Sequence, residues 1–227
     1  MIRRPPRSTL DRSSAASDVY KRQAESSPTA PRRALGLPVV RRIVDEAAAL
    51  GFGDIYFTGG EPFLLDDIYD MLAYAAPRLR TTVLTNGMLL KGVRLERLRA
   101  VAHPNLTVQV SLDGGRAEVH DAWRGAGTWI KTVKGIRALQ NAGFRVRLGT
   151  TETPANAAHL DELRQFRRGM GIADADHFVR PLARRGFATE GAEVSVETLV
   201  PEMTVTCLLY TSPSPRDRTR SRMPSSA

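Results

Sequence analysis

Between residues 38 and 182 the apolar positions switch repeatedly between two spacings. Val40, Ile43, Val44, Ala47 and Leu50 lie three or four apart, the spacing of one helix face, and Gly51 supplies a stop. The run DIYFT that follows reads as a strand. From Pro62 a helix is predicted with Leu65, Ile68, Leu72, Ala75 and Leu79 on one stripe and Asp66, Asp67 and Asp70 turned away. TTVLT is the next strand, closed by Asn86-Gly87, and Leu95, Leu98 and Val101 mark a weaker helix. LTVQVSL forms a third strand. After a polar loop, Trp129, Ile130, Val133, Ile136 and Leu139 mark a helix that Gly143 ends. FRVRLGT is a fourth strand, Asn156 is suited to cap a helix bearing Leu160, Leu163, Phe166 and Met170, and DHFVRPL is a fifth strand. Five strands alternating with five helices imply crossover connections and a mostly parallel sheet. An open doubly wound sheet and a full or partial (β/α) barrel both satisfy that order. Past Leu182 the periodicity fades.

Charge changes the picture at the ends. The 227-residue chain carries a formal +9, which on its face suggests a polyanion partner. Residues 1–23 hold +4 of it and residues 207–227 hold +3, leaving +2 on the body. Both ends are rich in Ser, Pro and Arg without helical or strand period, so they are expected to stay disordered. They resemble translated adaptor sequence, native disordered tails being the alternative. The first has no apolar centre and is not a signal peptide. The expected organisation is a partial barrel over 24–190, the start of a carboxy-terminal extension over 191–206, and non-native ends outside them. No run is apolar for long enough to span a membrane, and a cytoplasmic protein is expected.

Candidate chemistry gathers where strands end. In parallel α/β folds the site lies at the carboxyl ends of the strands. Gly59, Gly60 and Glu61 follow the first strand, Asn86 and Gly87 the second, and Ser111, Asp113, Gly114 and Gly115 the third. Thr150, Thr151 and Glu152 follow the fourth, and Arg180 and Pro181 the fifth, so all five sets are expected to line one mouth. Pro62 suits a first helical position and Glu61 its cap. Gly59 and Gly60 can take positive φ and bare the main chain to a ligand. Strand-end carbonyls favour an ammonium group and helix-terminal amides a carboxylate.

TGGEP after a strand resembles the corresponding motif of the radical S-adenosylmethionine (SAM) enzymes, and further pieces match in order. These are TNG at Thr85 to Gly87, VSLDGG at Val110 to Gly115, the segment His120 to Leu148, TTETPANAAHLDEL from Thr150, and FVRPLARRGFA from Phe178. The last resembles the branch with carboxy-terminal SPASM or Twitch domains. The resemblance covers about 35–190. It implies a partial (β/α)6 barrel in which a reduced [4Fe–4S] cluster cleaves SAM to a 5′-deoxyadenosyl radical that abstracts hydrogen from a peptide or small-molecule substrate. It also implies a flavodoxin or ferredoxin as electron donor. On the matching positions Gly59, Gly60, Glu61 and Pro62 would receive the methionyl amino group, with Asn86 beside them. Ser111 and Asp113 would approach the ribose or carboxylate, Arg124 would pair with the carboxylate, and backbone near Val179 and Pro181 would meet adenine.

One departure stands against that family. Its first strand ends in a CxxxCxxC loop whose thiolates hold the cluster, and here Cys207 is the only cysteine. The chain is therefore expected to be a fragment that lacks its first strand and cluster loop, a degenerate homologue being the alternative, and to bind no cluster and catalyse no radical chemistry. DIYFT would then be an exposed sheet edge. Two other readings remain: a (β/α)8-type hydrolase or lyase using Glu61 and Asp113 as a carboxylate pair, and a basic nucleic-acid-binding module. The near-neutral body argues against the latter.

Overall fold

The computed structural model describes residues 2–3, 35–182, 204–206 and 211–212. Its strands are β1 (Ile2–Arg3), β2 (Asp54–Phe57), β3 (Arg80–Thr85), β4 (Leu106–Ser111), β5 (Val146–Glu152), β6 (His177–Pro181), β7 (Thr204–Thr206) and β8 (Thr211–Ser212). The helices are α1 (Leu37–Ala49), α2 (Ile68–Ala75), α3 (Val93–Ala100), α4 (Ala117–Arg124), α5 (Thr128–Asn141) and α6 (Leu160–Gly169). The sheet order is β6-β5-β4-β3-β2-β1-β7-β8. Neighbours from β6 to β7 run parallel, and β7 with β8 is antiparallel. Strands β2 to β6 curl into the expected partial barrel, each followed or preceded by a helix.

Burial alternates along β2, β4 and most of β5, as a sheet with helices on one face requires. On β4, Leu106, Val108 and Val110 are buried, while Thr107, Gln109 and Ser111 are half-exposed. The buried rows meet Leu72 of α2, Ile136 and Leu139 of α5, and Leu163 of α6 in a single core. Residues paired across parallel strands point to the same side, so the half-exposed rows line the concave face of the barrel. No helix among the described residues is long and apolar enough to cross a membrane.

Three expectations change on the structure. The helix predicted from Pro62 is a short 3-10 turn at Pro62–Leu64, an extended Leu65 (ψ 130°), and then α2. Helix α4 was hidden in the polar loop, because eight residues with only Val119 and His120 buried are too few to show a period. Finally, DIYFT is not a wholly free edge. Ile2–Arg3 lies beside it, with Ile2 opposite Phe57, and Thr204–Thr206 lies beyond. The unpaired amides and carbonyls of such an edge accept an extended segment whatever its side chains. The rest of the expected terminal segments, 1–23 and 207–227, and most of 191–206 lie outside the described residues, as does Cys207.

Candidate functional site

The carboxyl ends of β2 to β6 open on one rim. At β2 the chain turns through Gly59, whose φ of 151° favours glycine, and Gly60, both half-exposed. Glu61 does more than begin the 3-10 turn. One carboxylate oxygen accepts from the Phe63 amide (3.3 Å) and the Thr85 hydroxyl (2.7 Å); the other accepts from the Asn86 amide (2.9 Å). It thereby fastens the Gly-Gly turn to the end of β3, while Pro62 is buried beneath it. The Asn86 side chain accepts from the Met88 amide (2.9 Å), and the Asn86 main-chain carbonyl accepts from the Thr132 hydroxyl (3.0 Å).

The end of β4 is a buried node. Asp113 has a fully buried side chain, one oxygen of which accepts from the Thr151 amide (2.8 Å) and the other from Arg124 Nε (2.5 Å). The Asp113 amide donates to His120 Nδ1 (3.1 Å), and its carbonyl accepts from Asn156 Nδ2 (3.0 Å). Asn156 also bonds the Thr151 carbonyl and accepts from the Thr153 amide. It therefore faces the site and does not cap the helix after it, which corrects the predicted cap. His120 is fully buried; burial first, then the Arg124 charge, push its pKa down to about 4 against Asp113 and Asp121. Its Nε2 is buried without a partner. Asp121 in turn ties α4 to α5 by accepting from the Trp129 and Gly127 amides. Burial raises its carboxyl, but those donors and the Thr128 hydroxyl hold it below the usual range.

The residues expected at the mouth therefore divide. Ser111, Asn86, Gly59, Gly60, Glu61, Thr151 and Glu152 are half-exposed at the rim, and Arg180 and Pro181 are exposed on β6 beside the half-exposed Val179. Ser111 and Arg180 lie on the same face, since Ser111 pairs with Gly149 and Arg180 with Thr151. Gly87, Gly114, Gly115 and Thr150 are buried. A Cβ at Gly114 would meet the His120 amide at 2.7 Å, and one at Gly115 the Glu162 carbonyl at 3.1 Å, so those glycines serve packing against helices. Sequence reasoning missed Thr85, His120 and Asn156 as site-shaping groups; polar residues buried beside strand ends, seen in TNG, VHDAW and TPANA, were the available signal. A separate crevice of about 220 Å³, between α2 and α3, is lined by Phe63, Tyr69, Arg94 and Arg97 among others and shares no residue with the rim.

The family model described as "Radical SAM superfamily" matches residues 21–166. The chain belongs to the radical SAM superfamily. It is 30% identical over 185 residues to the AdoMet-dependent heme synthase of Methanosarcina barkeri, covering 80% of this chain and 52% of the relative. It is 33% identical over 144 residues to the mycofactocin maturase MftC of Mycobacterium tuberculosis, covering 63% of this chain and 36% of MftC. Among solved structures, Streptococcus suis SuiB bound to the precursor peptide SuiA superposes with a TM-score of 0.61 at 20% identity, over 75% of this chain and 37% of SuiB. That likeness speaks for the shared fold. The chain thus spans about half, or less, of the length of these relatives, and its kinship with maturases agrees with the SPASM/Twitch-like branch expected from the motifs. Radical SAM enzymes use SAM and a [4Fe–4S] cluster. Among the described residues no three His, Cys, Asp or Glu side chains gather as a metal site, and the chain has one cysteine. The residues present do not fit a cluster held by three thiolates.

Proposed function

We propose that this chain is the SAM-binding core of a radical SAM enzyme that acts on a peptide, and that the polypeptide as it stands binds SAM without cleaving it. The observation that carries the reading is the Glu61 carboxylate, which fixes the bare Gly59–Gly60 main chain against Thr85 and Asn86 on the same rim as Ser111 and Arg180. Gly59, Gly60, Glu61 and Pro62 receive the methionyl ammonium through main-chain carbonyls, with Asn86 closing that side. Ser111, whose hydroxyl makes no hydrogen bond among the described residues, faces the ribose. Asp113 orients Arg124, and the guanidinium donors it leaves unused pair with the carboxylate. Backbone of Val179 and Pro181, on the last strand of this end of the sheet, meets adenine. The family's hydrogen-abstracting radical chemistry would require a reduced cluster beside SAM, and this chain has no thiolate set to hold one.

The peptide substrate rests on the relatives, which include a mycofactocin maturase, a PqqA peptide cyclase and SuiB bound to its precursor peptide. A flavodoxin or ferredoxin in the cytoplasm would serve the whole enzyme as donor. The hydrolase reading needs two carboxylates free to exchange protons, whereas Asp113 is buried with both oxygens engaged and Glu61 is tied to the backbone. Titration of ¹⁵N-labelled protein with SAM tests the site. The amides of Gly59, Gly60, Ser111 and Val179 shift together, and Arg124→Ala weakens binding about tenfold, the worth of a charge-assisted hydrogen bond. Anaerobic reconstitution with iron and sulfide tests the rest. A stoichiometric cluster absorbing in the thiolate-to-iron region would refute the inactive reading.

A further inference from the structure

Below the rim, the concave face of the sheet carries cations with unspent donors. Its rows follow from the register. Gln109 pairs with Arg147, Ser111 with Gly149, Gly149 with Phe178 and Thr151 with Arg180, so these side chains share one side. Two contacts confirm the sidedness. A Cβ at Gly149 would meet Gln109 Nε2 at 2.7 Å, so the amide of Gln109 lies across the space that glycine leaves. The Arg147 guanidinium stands 5.2 Å from the Phe178 ring. Two other arginines on or beside this face are hydrogen-bonded to carboxylates. Arg80 holds Asp54 through two hydrogen bonds of 2.9 and 2.7 Å, and Arg145 holds Asp176 at 2.7 Å. Arg147 is held by charge alone: it forms a long ion pair with Asp176 and helps to lower the Asp54 carboxyl, but it makes no hydrogen bond among the described residues. The Nε–Asp176 Oδ1 distance of 3.6 Å is beyond hydrogen-bond reach, so that buried Nε has no hydrogen-bond partner. Its side chain is 24% exposed. The Gln109 amide likewise makes no hydrogen bond among the described residues.

A buried guanidinium nitrogen without an acceptor is costly, and a planar fork beside a free amide matches a carboxylate. We infer that Arg147 and Gln109 form the anchor for a carboxylate-bearing segment of the substrate, with Phe178 forming an apolar wall. The inference rests on the cofactor reading above, since it takes the rim for SAM and the face below it for substrate. Arg147 and Thr151 are four residues apart on one strand, about 13 Å. A peptide in extended form covers that distance in about four residues. The carboxylate therefore sits a few residues along the chain from the carbon presented at the rim. Such a substrate is an acidic peptide, and Arg147 is a specificity-determining residue.

The test uses the full 227-residue chain, ¹⁵N-labelled, with two capped pentapeptides that differ only in a central glutamate or glutamine. Burial slows exchange at Arg147 Nε and makes its N–H an observable probe. The glutamate peptide is expected to shift that signal and to bind at least tenfold more tightly than its glutamine counterpart. Arg147→Gln is expected to abolish the difference, and Gln109→Ala to reduce it, with SAM titration unchanged in both. Equal affinity for the two peptides overturns the inference. So does an Arg147 signal that moves with SAM alone, because the carboxylate it takes is then the cofactor's. A glutamate-selective response with no SAM response at Gly59 or Ser111 leaves the carboxylate site standing and removes the cofactor reading.

Discussion

His120 is buried to completion yet must stay neutral, because its Nδ1 accepts the Asp113 amide and its neighbour Arg124 is a cation. Its folded pKa of about 4 lies below the unfolded value of 6.5. The folded state therefore binds fewer protons across that interval. Stability from this group is complete above about pH 6.5 and drains away as pH falls towards 4, a loss of about 3 kcal/mol. His177, lowered by burial and then by Arg167, adds a change of the same sign. Urea denaturation at pH 7 and pH 5 measures the slope. His120→Gln is expected to flatten it while costing about 1 kcal/mol at pH 7, where the Asp113 amide has a poorer acceptor. Asp113→Asn strikes harder. It leaves Arg124, whose side chain is 19% exposed, without its counter-charge, and the expected loss is about 3 kcal/mol in the same assay.

At the scale of elements, β3 and α5 approach so closely that two glycines are required. A Cβ on Gly135 would lie 2.0 Å from the Gly87 carbonyl oxygen, which is backbone and cannot step aside. Gly135→Ala is expected to push α5 off the Asn86–Gly87 turn and cost about 3 kcal/mol in thermal or urea unfolding. Gly169→Ala, at the end of α6 with open space around it, is the control and is expected to be neutral or slightly stabilising. This contact marks the limit of reading from sequence. The strand and helix periods placed β2 to β6, since a Val108 or a Leu139 declares its face by spacing alone. Gly135, inside a helix, carries no sign of what it meets 48 residues away. The same holds for Asn156: a polar residue before a helix reads as a cap, and only the fold brings Asp113 and Thr151 within its reach. TGGEP was legible as a motif, but the Glu61 carboxylate bonding across to β3 was not.

The whole molecule is a partial barrel whose ends differ from its body in composition and charge. The periodic segment from 38 to 182 was legible because each strand-helix unit buries one face. The strands that extend the sheet beyond β2 were not, because Ile2–Arg3, beside β2, and Thr204–Thr206, beside Ile2–Arg3, are too short to show a period and are recruited by free backbone groups. Charge gives a direct test of whether the ends or the body would hold a polyanion. The formal +9 falls to +2 when Arg4, Arg7, Arg12, Arg216, Arg218, Arg220 and Arg222 are replaced by Gln, a change that keeps the length of the chain. Binding by counterion release weakens with salt in proportion to the phosphates neutralised. The unaltered chain is expected to stay on a heparin or DNA column at low salt and to elute as salt rises, whereas the seven-fold variant passes through near physiological salt. Equal retention of both would place the basic surface on the barrel itself, where among the described residues Arg147 and Arg180 are concave-face cations without a hydrogen-bonded carboxylate, and would return nucleic acid to consideration as a partner.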